Sequence, residues 1–500
     1  MVGAGVVGVL LCLPAAGSPV PTSRVSVATG GAQANGHSIS PAISGDGRYV
    51  AFYSDASNLV AGDANRARDV FVYDRQTGET TRVSVGVGGA EANGDSFAPA
   101  ISADGRFVVF SSAASNLVPG DTNRADDIFV RDRVAGTTTR ISVGPGGVEA
   151  NGGSYTPAIS ADGSAVAYTS DATNLVAGDL NGIRDVFVYD RSADTTSLVN
   201  VNTNGTQADA PSATPALDAD GKLVAFASFA DNLILDDTNE TSDVFLHDRQ
   251  TGATTRVSVY NGGFEGDGDS FRPSLSADGR LVAFDSDSFN LAWGDLDEGS
   301  DVYVYDRQAD VLQPVSADDA GNLGNDTSLG ASMSSDGRYV AFSTVATDLV
   351  PGDQNGASDI VLYDRQSGSA TRLSVTNSGD EANADSLHPS ISADGTLVAY
   401  ESDATNLVSG DTNRRTDIFL RDTTANPPPP PPPARCAVPR VIGLRLAAAR
   451  KRIARARCAV GRVRRARVSR RRVGRVISQS PRAGTRRAAG AKVNLVVGRR

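Results

Sequence analysis

The dipeptide Asp-Gly recurs at Asp46, Asp104, Asp162, Asp220, Asp278, Asp336 and Asp394, each time after an interval of 58 residues. A period this regular means that each unit is one supersecondary element unable to bury its faces alone, so the fold must be assembled from stacked copies. The second copy, Ser96 to Val143, reads SFAPAISADGRFVVFSSAASNLVPGDTNRADDIFVRDRVAGTTTRISV and holds four short β runs. Residues 98–102 and 106–111 flank the turn Ala103-Asp104-Gly105, where glycine supplies the positive φ of a tight hairpin. Residues 127–131 and 138–143 flank a second turn at 132–137. Two hairpins in series form a four-stranded meander, and one such meander per repeat is a propeller blade.

The ends of the array predict closure. The seventh copy stops after its third strand, Asp417 to Arg421, and the missing fourth strand, SRVSV at Ser23 to Val27, stands before the first copy. A ring whose last blade is built from both chain ends leaves no unpaired sheet edge, whereas an open array would leave two. The expected fold is therefore mainly β, a seven-bladed β-propeller of four-stranded antiparallel blades over residues 22–424, with a small α+β domain after it. The text SADGRFVVF from Ser102, SADGRLVAF from Ser276 and SSDGRYVAF from Ser334 resembles the TolB-like (WD-like) propeller repeats. That resemblance implies fold and says little about function.

In such a blade the first and third connections are short, while the second connection (Ser112 to Asp126) and the crossover (Gly144 to Ser154) are long and share one rim. That rim and the adjoining channel mouth are the expected binding face. The long loop also repeats Gly-Asp-x-Asn-x-x-x-Asp, as in Asp63, Asn65 and Asp69 or Asp411, Asn413 and Asp417, with Asp297 replacing Asn in the fifth copy. Oxygens at positions one, three and seven resemble a calcium loop but lack the acid at five and the bidentate Glu at twelve. The preferred reading is that Asp and Asn form side-chain turns that order the loop, with Ca2+ as the alternative. His37, His247 and His388 occupy non-equivalent places in different copies, so no triad or metal cluster is expected from them. Trp293, in the fifth long loop, is expected to pack within that loop rather than stack on a ligand. No nucleophile elbow, zinc motif, phosphate loop or dinucleotide fingerprint occurs, and no catalytic, cofactor-binding or metal residue is assigned.

Residues 1–20 read as a signal peptide, an apolar run over residues 2–13 followed by Ala15, Ala16, Gly17 and Ser18, although no basic residue precedes Arg24. Leu11 before Cys12 is the wrong residue for a lipid anchor. No run of 18 apolar residues follows, so no transmembrane helix is expected. Once the signal is removed Cys436 and Cys458 remain, an even pair and a disulfide candidate in an exported protein, with thiol chemistry the lesser reading.

Charge divides the chain sharply. Residues 434–500 hold 22 Lys or Arg and no Asp or Glu, leaving residues 1–433 at −33. Between the two bodies runs a proline-rich linker, residues 425–435, whose seven prolines (Pro427 to Pro433) favour an extended spacer of ~20 Å. The domain that follows, residues 436–500, is expected to form a helix over Leu444 to Ala456, with Leu446, Ala449 and Ile453 on one stripe. Strands are expected around residues 460–463, 474–478 and 492–497. So small a core calls for a staple, and a Cys436–Cys458 bridge would contribute ~3 kcal/mol in the chain-entropy model. The runs VPRVIGLRLAAARKRI, GRVISQSPRAGT and AKVNLVVG resemble a PASTA domain from end to end. That resemblance implies a bacterial envelope module associated with peptidoglycan or β-lactam recognition, and it assigns no individual binding residue. Nucleic acid is not an expected partner, because residues 434–500 contain no Phe, Tyr or Trp to stack on bases.

The expectation is a non-enzymatic, extracytoplasmic cell-envelope binding protein. Its PASTA domain contacts peptidoglycan or an anionic wall polymer, and its propeller binds a protein or glycan. The alternatives are an enzyme with its active site in the channel and a structural scaffold with an envelope protein partner.

Overall fold

The computed structural model describes residues 22–260, 263–292, 299–424, 435–456, 458–469, 472–483, 485–488 and 492–499. The expected signal segment, Cys12, Trp293, Asp295, Asp297 and the proline run lie outside these residues. Two compact units divide at Ala425 and Asn426.

In the first unit β1 (Thr22–Arg24) is followed by β2 (Ser38–Ile43), β3 (Tyr49–Ser54), β4 (Asp69–Asp74) and β5 (Glu79–Arg82). The last four form an antiparallel sheet in sequence order, and five later repeats do the same. With the seventh, the described residues hold seven four-stranded sheets. The central strands read as unbroken apolar runs, VAF in β3 and VFV in β4, because each blade is covered on both faces. Val50, Phe52 and Phe71 pack against Leu397, Ala399, Ile418 and Leu420 of the last blade. The alternate residues Ala51, Val70 and Val72 pack against Val108, Phe110 and Phe129 of the second. Phe52 and Phe71 stack at 5.9 Å, a pair repeated as Phe110–Phe129 and Phe226–Phe245.

The Asp-Gly turns link neighbouring blades. Asp46 caps its own turn by accepting hydrogen bonds from Ser44 Oγ (2.6 Å) and the Arg48 amide (2.9 Å). Gly47 at φ 69° supplies the left-handed turn, and a Cβ there would stand 2.3 Å from Leu397 Cδ1 of the last blade. The turns also form a closed circle of backbone hydrogen bonds at 2.8–3.4 Å. Each turn donates to the next, through Asp46, Ala103, Asp162, Ala219, Ala277 and Ser335, and the Ala393 amide returns to the Gly45 carbonyl at 3.0 Å.

The expected closure holds. β1 pairs antiparallel with Asp417–Asp422, Thr22 opposite Arg421 and Arg24 opposite Phe419, so both chain ends build one sheet. The fourth strands are shorter than the repeat text predicts: Thr137–Arg140 replaces 138–143. Ser142 breaks the ladder, because its Oγ donates to Asp127 Oδ1 (2.5 Å) and accepts from the Ile128 amide (3.0 Å). Val143–Gly144 then pairs with Val148–Glu149 as a small crossover hairpin.

In the second unit the helix Leu446–Arg455 buries Ala449 and Ile453 against Val441, Val476, Val493 and Leu495, with Leu446 half-buried on the same stripe. Its sheet places Lys492–Arg499 centrally, parallel to Ala459–Arg467 and antiparallel to Val476–Ser480. A further pair joins the entry strand Arg435–Ala437 to Arg486–Ala488, outside the three strands expected above. Cys458 is disulfide-bonded, while the side chain of Cys436, its expected partner, lies outside the described residues. Among the described residues no helix is long and apolar enough to cross a membrane.

A chain that starts at Ala28 lacks β1, exposes the Asp417–Asp422 edge and strips Asp417 of Arg24 and Ser26. It is expected to lose the cooperative thermal transition and to associate, measured by calorimetry and size-exclusion chromatography. Retention of a full-height transition in a monomer would refute the closing role of β1.

Candidate functional site

The repeated loop carboxylates close around a guanidinium. Asp69, fully buried at the start of β4, accepts from Ser84 Oγ through Oδ1 (2.5 Å) and from Asn65 Nδ2 through Oδ2 (2.9 Å). Asn65 Oδ1 accepts from the Ala67 amide (3.0 Å), a side-chain turn of the kind the sequence predicts. At the end of β5, Arg82 Nη1 meets Asp69 (3.0 Å), Asp63 (3.3 Å) and Glu91 of the crossover (2.8 Å). Arg140 and Arg256 repeat the arrangement, and Arg24 supplies it to the closing blade. The positive charge among the candidate calcium ligands is thus the protein's own. The sequence reading did not associate this arginine with the loop, although TTR recurs at the end of the fourth strand.

Two blades depart from the pattern. In the third, Leu198 takes the arginine position and Gln207 Nε2 donates to both Asp179 and Asp185 at 2.9 Å. In the fifth, Pro314 stands there, and the loop residues Asp295 and Asp297 are not described. Asp353, Asp359 and Glu381 hold carboxylate oxygens within 4.8 Å of one another in the sixth blade, with Arg372 among them. Burial, reinforced by Asp69, pushes the Asp63 carboxyl up to about 6. Burial likewise raises Asp237 to about 7 and Asp359 to about 6.

The second arrangement lies in the channel. Every innermost strand is bulged, with pairing that slips between Ile39 and Ala42 in the first blade. The bulge residue is left-handed each time: Ser40, Ala98, Thr156, Thr214, Arg272 and His388 have φ of 47–51°, and Gly330 has 72°. Proline follows in all but the sixth blade, where Ala331 stands. Left-handed backbone at Thr156 and Thr214 is strained for β-branched residues. Because all seven blades share it, the conformation belongs to the architecture, and in every blade but the sixth it places a side chain at the channel. These residues and their prolines line a cavity of about 360 Å³. Ser40 lies two residues into β2 and Tyr53 one residue from the end of β3, so the cavity sits at the long-loop end of the blades.

The side chains around this ring are asymmetric. Ala98, Thr156 and Thr214 are small, but Arg272 Nη1 pairs with Asp285 Oδ2 at 2.7 Å and His388 Nδ1 with Glu401 Oε1 at 3.0 Å. Glu401 Oε2 also accepts from the Ser40 amide (2.6 Å), and Asp285 Oδ1 from the Gly330 amide (3.3 Å). The acids lie behind, with side chains 2% and 9% exposed. The cations stand in front at 51% and 60%, walled by protein yet open to the channel. Burial pushes Asp285 up to about 6 against the pull of Arg272. The hydrogen bond to Glu401 raises His388 above its ordinary value, and the nearby Arg272 charge opposes this. Of the histidines, only His388 reaches this cavity; His247 is buried against Thr254, and His37 bonds Thr416.

In the second unit a cavity of about 800 Å³ is lined by Arg462, Arg464, Lys492, Gln479 and Asn494. Arg462, Arg464 and Lys492 are exposed, whereas Gln479 is held by the Val441 amide (2.8 Å) and the Pro439 carbonyl (2.9 Å).

Replacing Arg82 with Leu leaves three carboxylates around an empty place and should cost about 3–5 kcal/mol in urea unfolding. Adding Glu91→Gln, which reproduces the third blade, should recover part of that loss; a double variant no more stable than R82L would refute the substitution logic. The raised acids Asp63, Asp237 and Asp359 bind protons more tightly folded than unfolded, so the ring should gain stability as pH falls from about 7 towards 4. Asp132 and Asp364, held down at about 2 by Arg106 and Arg338, reverse the trend below about pH 4. The calorimetric Tm is expected to peak near pH 4–5, and a monotonic rise up to neutrality would contradict this.

No curated relative matches the sequence. Among solved structures, the chain is similar to TolB from Acinetobacter baumannii, at 18% identity over 62% of this chain and 60% of that one, with a TM-score of 0.36. It is also similar to oligogalacturonate lyase from Vibrio parahaemolyticus, at 14% identity over 81% and 94%, with a TM-score of 0.49. The β-propeller domain of the Trilobed protease from Pyrococcus furiosus matches at 10% identity over 77% and 95%, with a TM-score of 0.46. The PASTA domain family matches residues 437–499. The chain therefore carries a PASTA domain at residues 437–499, preceded in sequence by a β-propeller of four-stranded antiparallel blades.

Proposed function

We propose that this chain is an extracytoplasmic, non-catalytic binding protein of the cell envelope. Its PASTA domain engages peptidoglycan or an anionic wall polymer, and its propeller takes a protein or glycan ligand at the channel mouth. The observation that carries this reading is the basic module itself. Residues 434–500 hold 22 cations without one acid, and Arg462, Arg464 and Lys492 line a cavity of about 800 Å³. Such a surface attracts anionic polymer regardless of sequence, and a lined cavity adds a place for shape-specific contact.

One observation favours a second reading, an enzyme working in the channel. His388 with Glu401 forms an imidazole–carboxylate pair at one of the two charged positions of the ring, as a general base requires. Turnover of a glycan or peptide that His388→Gln abolishes, without lowering Tm, would select that reading.

Co-sedimentation with purified peptidoglycan sacculi tests the binding reading, using the full chain and residues 434–500 at low salt and at about 0.5 M salt, where surface attraction is largely screened. Wall recognition predicts that both pellet and that the basic unit still pellets at high salt. Failure of residues 434–500 to pellet at either salt would overturn it.

A further inference from the structure

Resting on the reading of the propeller as a binding module, we infer that the channel mouth is a receptor for a small ligand carrying one carboxylate, held between Arg272 and His388. Three features converge on this. First, the ligand-facing charges are both donors. Asp285 and Glu401 are turned away, each engaged by its cation and by a backbone amide, so they orient Arg272 and His388 rather than meet a ligand. Arg272 spends Nη1 on Asp285 and His388 spends Nδ1 on Glu401, while the other guanidinium nitrogens and His388 Nε2 make no hydrogen bond among the described residues.

Second, space lies between the donors. Arg272 and His388 come from the fifth and seventh blades, and the residue between them on the ring is Gly330, the one bulge position without a side chain. Glycine there is matched by Ala331 where every other blade has proline, so the gap is local to the sixth blade. A carboxylate above Gly330 can take two parallel bonds from the guanidinium, a geometry in which arginine outperforms lysine.

Third, charge and size restrict the rest of the ligand. Residues 1–433 carry −33, which repels a polyanion, so the carboxylate belongs on an otherwise neutral body. The cavity of about 360 Å³, walled by six prolines with Ala98 and Thr156 across the ring from the cations, suits a molecule of one or two residues. A sugar acid and the C-terminus of a short peptide both meet this description.

The test is calorimetric titration of the full chain with two matched pairs, D-glucuronate against D-glucose and alanyl-alanine against alanyl-alaninamide. At least one carboxylate should bind about tenfold more tightly than its neutral counterpart, and the pair that responds identifies the source. Arg272→Gln combined with Asp285→Asn removes the cation without stranding a buried acid and should weaken that binding about tenfold or more. Val134→Thr, an exposed residue of a short turn at the other end of the second blade, should leave it unchanged. The inference is overturned if neither carboxylate binds up to about 10 mM, if the neutral partners bind equally, or if the paired variant keeps wild-type affinity and Tm. Sacculus binding by residues 434–500 does not depend on any of these outcomes, so the wall reading and the channel site can fail separately.

Discussion

The buried carboxylate that ends each long loop is the interaction on which the ring depends. Asp69, Asp127, Asp185, Asp243, Asp301, Asp359 and Asp417 are all at most 1% exposed, and an ionised group so placed must be matched by donors. In most blades the match comes from three directions: an asparagine of the same loop, a serine after the fourth strand, and an arginine at its end that a crossover acid shares. One atom group thus ties together the long loop, the third and fourth strands and the link to the next blade. In the closing blade the same group, Asp417, takes Arg24 and Ser26 from the other end of the chain. Propeller closure is therefore an ion-pair and hydrogen-bond event as well as a strand pairing.

This arrangement gives the calcium-like spacing a cation of the protein's own. Asp at one and Asp at seven converge on a point while Asn at three turns its oxygen to a loop amide, and convergence of carboxylates calls for a cation, which a guanidinium supplies as well as a metal. The third blade supports this by substitution. Where the arginine becomes Leu198, the crossover acid becomes Gln207, and its amide meets the same two aspartates. The partner lies 13 residues beyond Asp69 along the chain, so a reading confined to the loop motif could not contain it. The whole 58-residue period does contain it, in the correlated loss of arginine and acid.

Blade number, strand order and the split closing blade were legible because period and turn chemistry are local properties. Asp-Gly turns and unbroken apolar runs leave few alternatives once seven copies are seen. Strand ends were less legible, since Ser142 leaves the ladder to serve Asp127, a choice decided by a side chain in another strand. The channel site was not legible at all. Arg272 and His388 are two periods apart, and only closure of the ring places them around one cavity. The available clue was a column of seven residues preceding proline or alanine, Ser, Ala, Thr, Thr, Arg, Gly and His, which varies where its neighbours repeat.

That variation separates what the fold requires from what it permits. Left-handed backbone at the bulge is common to all seven blades, so its strain is a cost of turning the innermost strands and carries no site information. The identity of the side chain delivered there is unconstrained by the core, because it faces water in the channel. Charged pairs at such positions gain little stability, and the buried Asp285 and Glu401 cost desolvation. Two blades nevertheless place an acid at the adjoining position of the second strand, where the others have Tyr53, Ser111, Thr169, Ala227 and Ser343. Each acid faces the one basic residue across its own blade. Paired changes confined to two blades, at positions the architecture leaves free, are what an oriented ligand-facing surface requires and what packing of the ring does not.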